Sequence, residues 1–242
     1  MHRCFVNYSL NTGDVVSVTG DEAAHVSRVL RFNAGDVLEL FNESGIVALC
    51  EITEISKQEF CVLVKDVYKS DAEPEVKITL YQGIAKEAKM DYTIQKATEL
   101  GISRIVPVET EFTVVKIKDS GKKTERWQKI ALDAAKQCKR ASVPEIAEPV
   151  KFDKALKLLK ENEIFFAPYE AARQGSLKDL TFGKKPQSAG YIIGPEGGFS
   201  QKEADAFLNE NIPVVTLGKR ILRTETAATA TLAILDFCFG EI

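Results

Sequence analysis

Three cations and an acid crowd the stretch LGKRILRTETA: Lys219, Arg220 and Arg223 lie just ahead of Glu225, at the edge of an apolar run. Residues of these types can neutralise a developing anion, grip a phosphate and hold or remove a proton. The purely structural account is a salt-bridged first helical turn, where the helix dipole favours Glu225. A second stretch, IIGPEGGFS, sets Gly194, Gly197 and Gly198 around Pro195 and Glu196. Glycine loses more backbone freedom on folding than any other residue, so such a cluster marks a positive φ or a place where a side chain would collide. The colliding partner is a neighbouring backbone or a ligand, and spacing alone admits both. A third stretch, APYEAARQG, contributes Pro168, Tyr169 and Glu170.

The nucleotide signatures are missing: GPEGGF is not G-x-G-x-x-G, and no G-x-x-x-x-G-K-[ST] occurs. A nucleophile elbow, H-E-x-x-H and the kinase set are missing too. The chemistry left is a glycine-lined pocket whose main-chain N–H and C=O groups hold a neutral or zwitterionic ligand.

Each of these stretches follows a predicted strand: EIFFAP, GYIIG and PVVTLG. In an open α/β sheet, ligands bind beyond the carboxyl ends of strands, so three such ends point to one site. The surrounding pattern supports that sheet. DAEPE (71–75) is a polar, proline-bearing hinge dividing residues 1–72 from residues 73–242. Ahead of it, CFVNY, DVVSV, DVLELF, IVALCEIT and FCVLVKDV alternate between turn-forming segments, as in a small β-barrel, with one short helix over DEAAHVSRVLR. Beyond it, strands alternate with helices. Met90, Ile94, Ala97 and Leu100 share one helix face, and Trp127, Ile130, Ala131, Ala134 and Cys138 form a stripe on a helix near 123–140. Ser200 and Glu203 fit a capping box, and TAATATLAILDFCF reads as a last apolar helix. The expected class is α/β, or α+β over the whole chain, with a mostly parallel sheet covered on both faces.

A formal net charge of −3 gives no global sign of a nucleic-acid partner. Locally the balance differs. From Lys116 to Arg140 nine Lys/Arg face three acids, with Lys122, Lys123, Arg126 and Lys139 among them. This run inside an acidic chain points to an RNA phosphate surface, although a charge run is commonly just a solvated face. His25, Arg28 and Arg31, three residues apart, form a second basic group expected on one helical face. The five cysteines are scattered without C-x-x-C, and His2 and His25 are the only histidines. Neither a disulfide framework nor a metal site is expected. MHRCFVNYSLNTGD lacks an apolar stretch of signal-peptide length, and Ala227–Phe239 is too short to span a bilayer, so a cytoplasmic location is expected.

Five segments, in order, resemble one family: HVSRVLRFNAGD, KMDYTIQKATELG, RWQKIALDAAKQCKRASVPEI, IGPEGGFS and LGKRILRTETA. The chain resembles the ribosomal RNA small subunit methyltransferase E family of the SPOUT superfamily. The resemblance implies an N-terminal PUA-like β-barrel and a C-terminal SPOUT α/β domain tied in a deep trefoil knot, acting as a homodimer. The implied reaction transfers a methyl group from S-adenosylmethionine to N3 of one decoding-region uridine of 16S rRNA in the small ribosomal subunit. Cofactor-binding positions would be Pro168, Tyr169, Glu170, Gly194, Pro195, Glu196, Gly197, Gly198, Leu217, Gly218, Ile221, Leu222 and Thr226. Arg223 would stabilise the developing imidate, Glu225 would act as base or orienter, and Arg220 would hold a flanking phosphate. RNA contacts would come from His25, Arg28, Arg31, Lys86, Lys116, Lys122, Lys123, Arg126, Lys139 and Arg140. One position departs from the family: in TEFTVVK, Phe112 stands where the family pattern carries arginine. The open alternatives are a non-catalytic RNA-binding or ribosome-assembly protein, a nucleotide-dependent α/β enzyme, and a SPOUT enzyme acting on another RNA.

Overall fold

The computed structural model describes residues 1–42, 44–113, 120–171, 175–177 and 184–242. Packing divides the chain into two units, Met1–Glu73 with Ala135–Val143, and Pro74–Ala134 with Pro144–Ile242.

The first unit is built on five strands, β1 (Arg3–Phe5), β2 (Val15–Thr19), β3 (Val37–Phe41), β4 (Ile46–Ile55) and β5 (Glu59–Lys69), in the order β1-β3-β4-β5-β2. Strict alternation drives the burial: β2 buries Val16 and Val18 and turns Val15, Ser17 and Thr19 outward. Leu38, Leu40, Ile52, Phe60 and Val62 meet in its core. Register shifts at Leu49/Cys50 and Ile52/Glu54 increase the twist where β4 and β5 pair, which curls the sheet. A short helix, α1 (Asp21–Ala24), runs into a π-helical turn over His25–Val29. Arg31 lies past that turn with φ 57, so it does not share a helical face with His25 and Arg28 as expected.

Ala135–Val143 is fastened to this unit by Glu73. Its carboxylate accepts from Arg140 (2.8 Å) and from the backbone N–H groups of Ala141 and Ser142 (2.9 Å each). Arg140 is only 4% exposed. The expectation that it contacts RNA is therefore corrected: its guanidinium is a buried structural cation.

The second unit holds seven strands, β6 (Lys77–Gly83), β7 (Arg104–Glu109), β8 (Glu145–Ile146), β9 (Val150–Lys151), β10 (Ile164–Pro168), β11 (Ser188–Ile193) and β12 (Val214–Val215). Every pairing is parallel, in the order β12-β10-β11-β6-β7-β8, with β9 also on β7. Helices α2 (Glu87–Glu99), α3 (Ser120–Gln137), α4 (Phe152–Leu159), α5 (Gln201–Asn209) and α6 (Thr224–Phe239) complete it. Adjacent residues of β6 and β11 serve opposite faces. Tyr81 and Ile192 join Phe152, Leu156 and Phe207 in one core, while the Tyr191 hydroxyl donates to the Ala228 carbonyl of α6 (2.8 Å). The helix stripe on α3 buries Trp127, Ala131 and Ala134 but leaves Ile130 and Cys138 half-buried. The two-residue strands β8 and β9 carry no alternation that a sequence can show.

The chain leaves β6 for β7 on one side and returns through β10 to β11 on the other. Strand order therefore reverses between β6 and β11, the type of place where open sheets bind ligands. The backbones converge tightly there. A Cβ on Gly83, at the end of β6, would lie 2.6 Å from both N and Cδ of Pro195. Because the obstructing atoms are backbone and a ring fixed to it, no rotamer change relieves the clash. Gly83→Ala is expected to lower stability by about 1–3 kcal/mol or more, read as a lower urea midpoint.

Candidate active site

A cavity of about 470 Å³ opens at the carboxyl ends of β10, β11 and β12. Its walls come from three segments: Pro168–Glu170, Ile193–Phe199 and Thr216–Thr224, with Lys89 and Ala227 added from α2 and α6. The three sequence stretches thus meet in one place. Every expected cofactor position lines the cavity except Thr226, which is exposed in the first turns of α6. Arg220 and Arg223 line it and are exposed, whereas Glu225 is not part of the wall.

The glycines each have a local reason. A Cβ on Gly194 would lie 3.0 Å from the Gly198 carbonyl carbon, and one on Gly197 would lie 2.9 Å from Cβ of Phe112. Gly198 adopts φ +70, and a Cβ there would come within 2.9 Å of a Glu170 carboxylate oxygen. Close contacts with Gly198, Phe112 and Glu170, together with the positive φ of Gly198, account for all three, so room for a cofactor is not needed to explain them. Gly218 is different: nothing crowds it, and its φ of +112 is what demands glycine.

Beneath the cavity lies a buried polar chain. The Gln82 amide donates to Thr224 Oγ1 (2.9 Å) and to the Gly83 carbonyl (2.9 Å), and the Thr224 hydroxyl donates to the Gly194 carbonyl (2.6 Å). Gln82 is fully buried and Thr224 nearly so. Thr224 is the first residue of α6, so this chain fixes the turn that presents Arg223 and Glu225. Behind the wall, Phe199 packs against Phe207 and Phe152, with Tyr169 beside it.

Lys89 was not among the expected site residues. Its ammonium stands 3.6 Å from Glu196 and 3.8 Å from Glu225. Glu225 therefore reaches the cavity only through Lys89, and its Oε2 is buried without a hydrogen-bond partner. The available signal was its place in KMD at the start of a helix. Glu196 also accepts the backbone N–H of Lys86 (3.0 Å), which caps α2 from outside. Burial pushes the Glu196 carboxyl up, but the Lys86 N–H and the Lys89 ammonium outweigh that and hold it below its ordinary value.

The basic groups are dispersed. His25, Arg28 and Arg31 are exposed on the first unit, as is Lys139, which has φ 64. On the second unit Lys86 and Lys122 are exposed and Lys123 is half-buried. Arg126 is held by Asp91 (3.0 Å) and Glu87 (2.9 Å). Lys116 lies outside the described residues.

Residues 72–236 match the RNA methyltransferase domain family, and residues 18–65 match the RNA methyltransferase PUA domain family. The fold and site are therefore those of an RNA methyltransferase with a PUA domain. Ribosomal RNA small subunit methyltransferase E of Bacillus subtilis (strain 168) is 31% identical, over 98% of this chain and 96% of its own. The enzyme of that name from Buchnera aphidicola subsp. Schizaphis graminum is 32% identical, over 99% and 97%. The crystal structure of a ribosomal RNA small subunit methyltransferase E from Neisseria gonorrhoeae, bound to S-adenosyl methionine, superposes with a TM-score of 0.89 at 31% identity, covering 99% of this chain and 98% of that one. The chain belongs to the ribosomal RNA small subunit methyltransferase E family.

Two predictions follow from this geometry. Thr224→Val strands the Gln82 amide and the Gly194 carbonyl, and is expected to lower stability by about 1–3 kcal/mol in urea unfolding. The Glu196 carboxyl lies below its unfolded value of 4.5, so its stabilisation is present above that pH and is lost as pH falls through the lower folded value. The urea midpoints of wild type and Glu196→Gln should accordingly differ at neutral pH and converge in acid.

Proposed function

We propose that the chain methylates N3 of one decoding-region uridine of 16S rRNA in the small ribosomal subunit, using S-adenosylmethionine. The observation that carries this reading is the composition of the cavity wall. Main chain and small residues form one side, Leu217, Ile221 and Leu222 form another, and cations stand at the third. Its volume falls in the range of small-molecule sites. The absence of a phosphate-cradling loop from the sequence suits a cofactor without phosphate, and Glu170 and Glu196 bring negative charge to a ligand bearing a sulfonium and an ammonium. When bound, S-adenosylmethionine supplies an electrophilic methyl group.

The protein's own residues have the remaining tasks. Uridine N3 carries a proton and must lose it before its lone pair can attack. Arg223, at the N-cap of α6 and in the wall, stabilises the imidate in this reading. Arg220 is exposed at the same rim and suits a flanking phosphate. Glu225 serves better as an orienter than as a base, because it lies outside the wall and engages the wall residue Lys89. Entry of the base requires it to be splayed from its neighbours. In this reading His25, Arg28, Arg31, Lys86, Lys122, Lys123 and Lys139 contribute to RNA binding, Arg126 supports them through its acids, and the trefoil knot belongs to the cofactor-binding part of the SPOUT domain. The homodimer belongs to it as well, since α6 leaves Ile234 and Phe237 41% and 73% exposed. Among the described residues no helix is long and apolar enough to cross a membrane, and a cytoplasmic site of action accords with a ribosomal substrate.

Primer extension on 16S rRNA tests the proposal, with protein and S-adenosylmethionine incubated on undermethylated small subunits. The expected result is a cofactor-dependent reverse-transcriptase stop beside one decoding-region uridine. No stop, on subunits that an active family member modifies, would leave a binding protein or another RNA target. Arg223→Ala should retain cofactor affinity and lose roughly 10²- to 10³-fold in turnover, the cost of removing one stabilising donor.

A further inference from the structure

We propose that the first unit binds one zinc-type divalent metal ion through His2, Cys4 and Glu22. His2 directly precedes β1, Cys4 is the middle residue of β1, and Glu22 lies on α1. Their ligand atoms all lie within 4.8 Å of one another. A tetrahedral zinc site with bonds of about 2.0–2.3 Å needs ligand atoms roughly 3.3–3.8 Å apart, a closure that small side-chain rotations supply. Imidazole nitrogen, thiolate sulfur and carboxylate oxygen are the donors such an ion takes.

An independent observation points to a ligand here. Nε2 of His2 is buried and has no hydrogen-bond partner, which is uncommon for a ring nitrogen that must donate or accept. Burial, and then neighbouring His25, lower the His2 pKa and favour the neutral ring that binds metals. The His25 ring centroid lies 5.3 Å from that of His2, beside the three-residue group, and the fourth position is left to water. His25 opens the π-helical turn, a distortion found frequently at functional sites. Lys136 pairs with Oε1 of Glu22, as outer-shell partners do for ligating carboxylates.

Burial and the adjacent Glu22 push the Cys4 thiol far above its ordinary value, so without a metal Cys4 keeps its proton. Binding then exchanges that proton for the ion: the S–H bond breaks, a sulfur–metal bond forms and the proton leaves to solvent. The competing account is a packed polar end of the core, with Cys4 hydrogen-bonded to Glu22 and Glu22 paired to Lys136. That account leaves Nε2 of His2 unexplained.

The test is to treat the full-length protein with a chelator, remove the chelator and titrate with Co²⁺ alone. The expected result is uptake of one equivalent with a thiolate-to-cobalt charge-transfer band, displaced by Zn²⁺. Cys4→Ser should abolish the band, and His2→Gln should weaken binding roughly 10-fold or more. His2→Gln sits near the chain start and keeps the test decisive should Cys4→Ser, at a fully buried position, fail to fold. No uptake at one equivalent overturns the proposal. A band that survives His2→Gln at unchanged affinity does so too, by assigning the metal to other cysteines.

Discussion

The hydrogen-bonded chain from Gln82 through Thr224 to Gly194 is the constraint on which the site depends. It ties the carboxyl end of β6, the loop after β11 and the first turn of α6 into one unit. The Gly83–Pro195 approach closes the same corner by sterics, where a methyl group would find no space. In a low-dielectric interior such a chain favours one arrangement, because an alternative strands its donors. Gln82 retains one unpaired oxygen, but its amide and the Thr224 hydroxyl each have their acceptor. Two of the three wall segments, Ile193–Phe199 and Thr216–Thr224, therefore share one anchor with the end of β6 even though they leave the sheet from different strands.

Charge is sorted around that anchor. Lys219, Arg220 and Arg223 stand in the wall and reach solvent, open to a polyanionic ligand. Lys89, also in the wall, is instead held between Glu196 and Glu225, so its charge is offset by these two acids. Under the proposed methyl transfer, a site arranged this way would lower the cost of a uridine anion by surrounding cations more than by a dedicated base. That suits an imide nitrogen, whose difficulty is the charge left after the proton departs.

Period-two and helical patterns are local, and they made the strands, the α2 face and the Ser200–Glu203 capping box legible before any coordinates. The convergence of three strand ends was legible too, because parallel α/β topology carries it. What escaped depended on tertiary partners. Arg140 reads as surface charge until Glu73, 67 residues away, is seen to bury it. Arg31 keeps helical spacing with Arg28, yet its own left-handed backbone takes it off the helical face. Lys89 is one lysine among many until Glu196 and Glu225 fold against it. His2, Cys4 and Glu22 have no motif spacing, because β1 and α1 bring them together through the fold alone.

The glycine loop shows why the bland and functional accounts of a motif need not compete. Gly194 and Gly198 are required by the loop's self-contact and by a positive φ, and Gly197 by the side chain of Phe112. The same absence of side chains is what leaves main-chain groups bare along the cavity. Phe112 is held in register by its neighbour: the Glu111 N–H donates to Glu203 (2.9 Å), which also caps α5. The departure from the family pattern therefore falls on a residue that touches the wall from behind and is still 44% exposed. An arginine there would add a cation beside the loop. The phenylalanine instead adds a flat apolar surface, so the exchange acts on how the loop is supported and on what approaches its outer edge, while the Gln82–Thr224–Gly194 anchor is untouched.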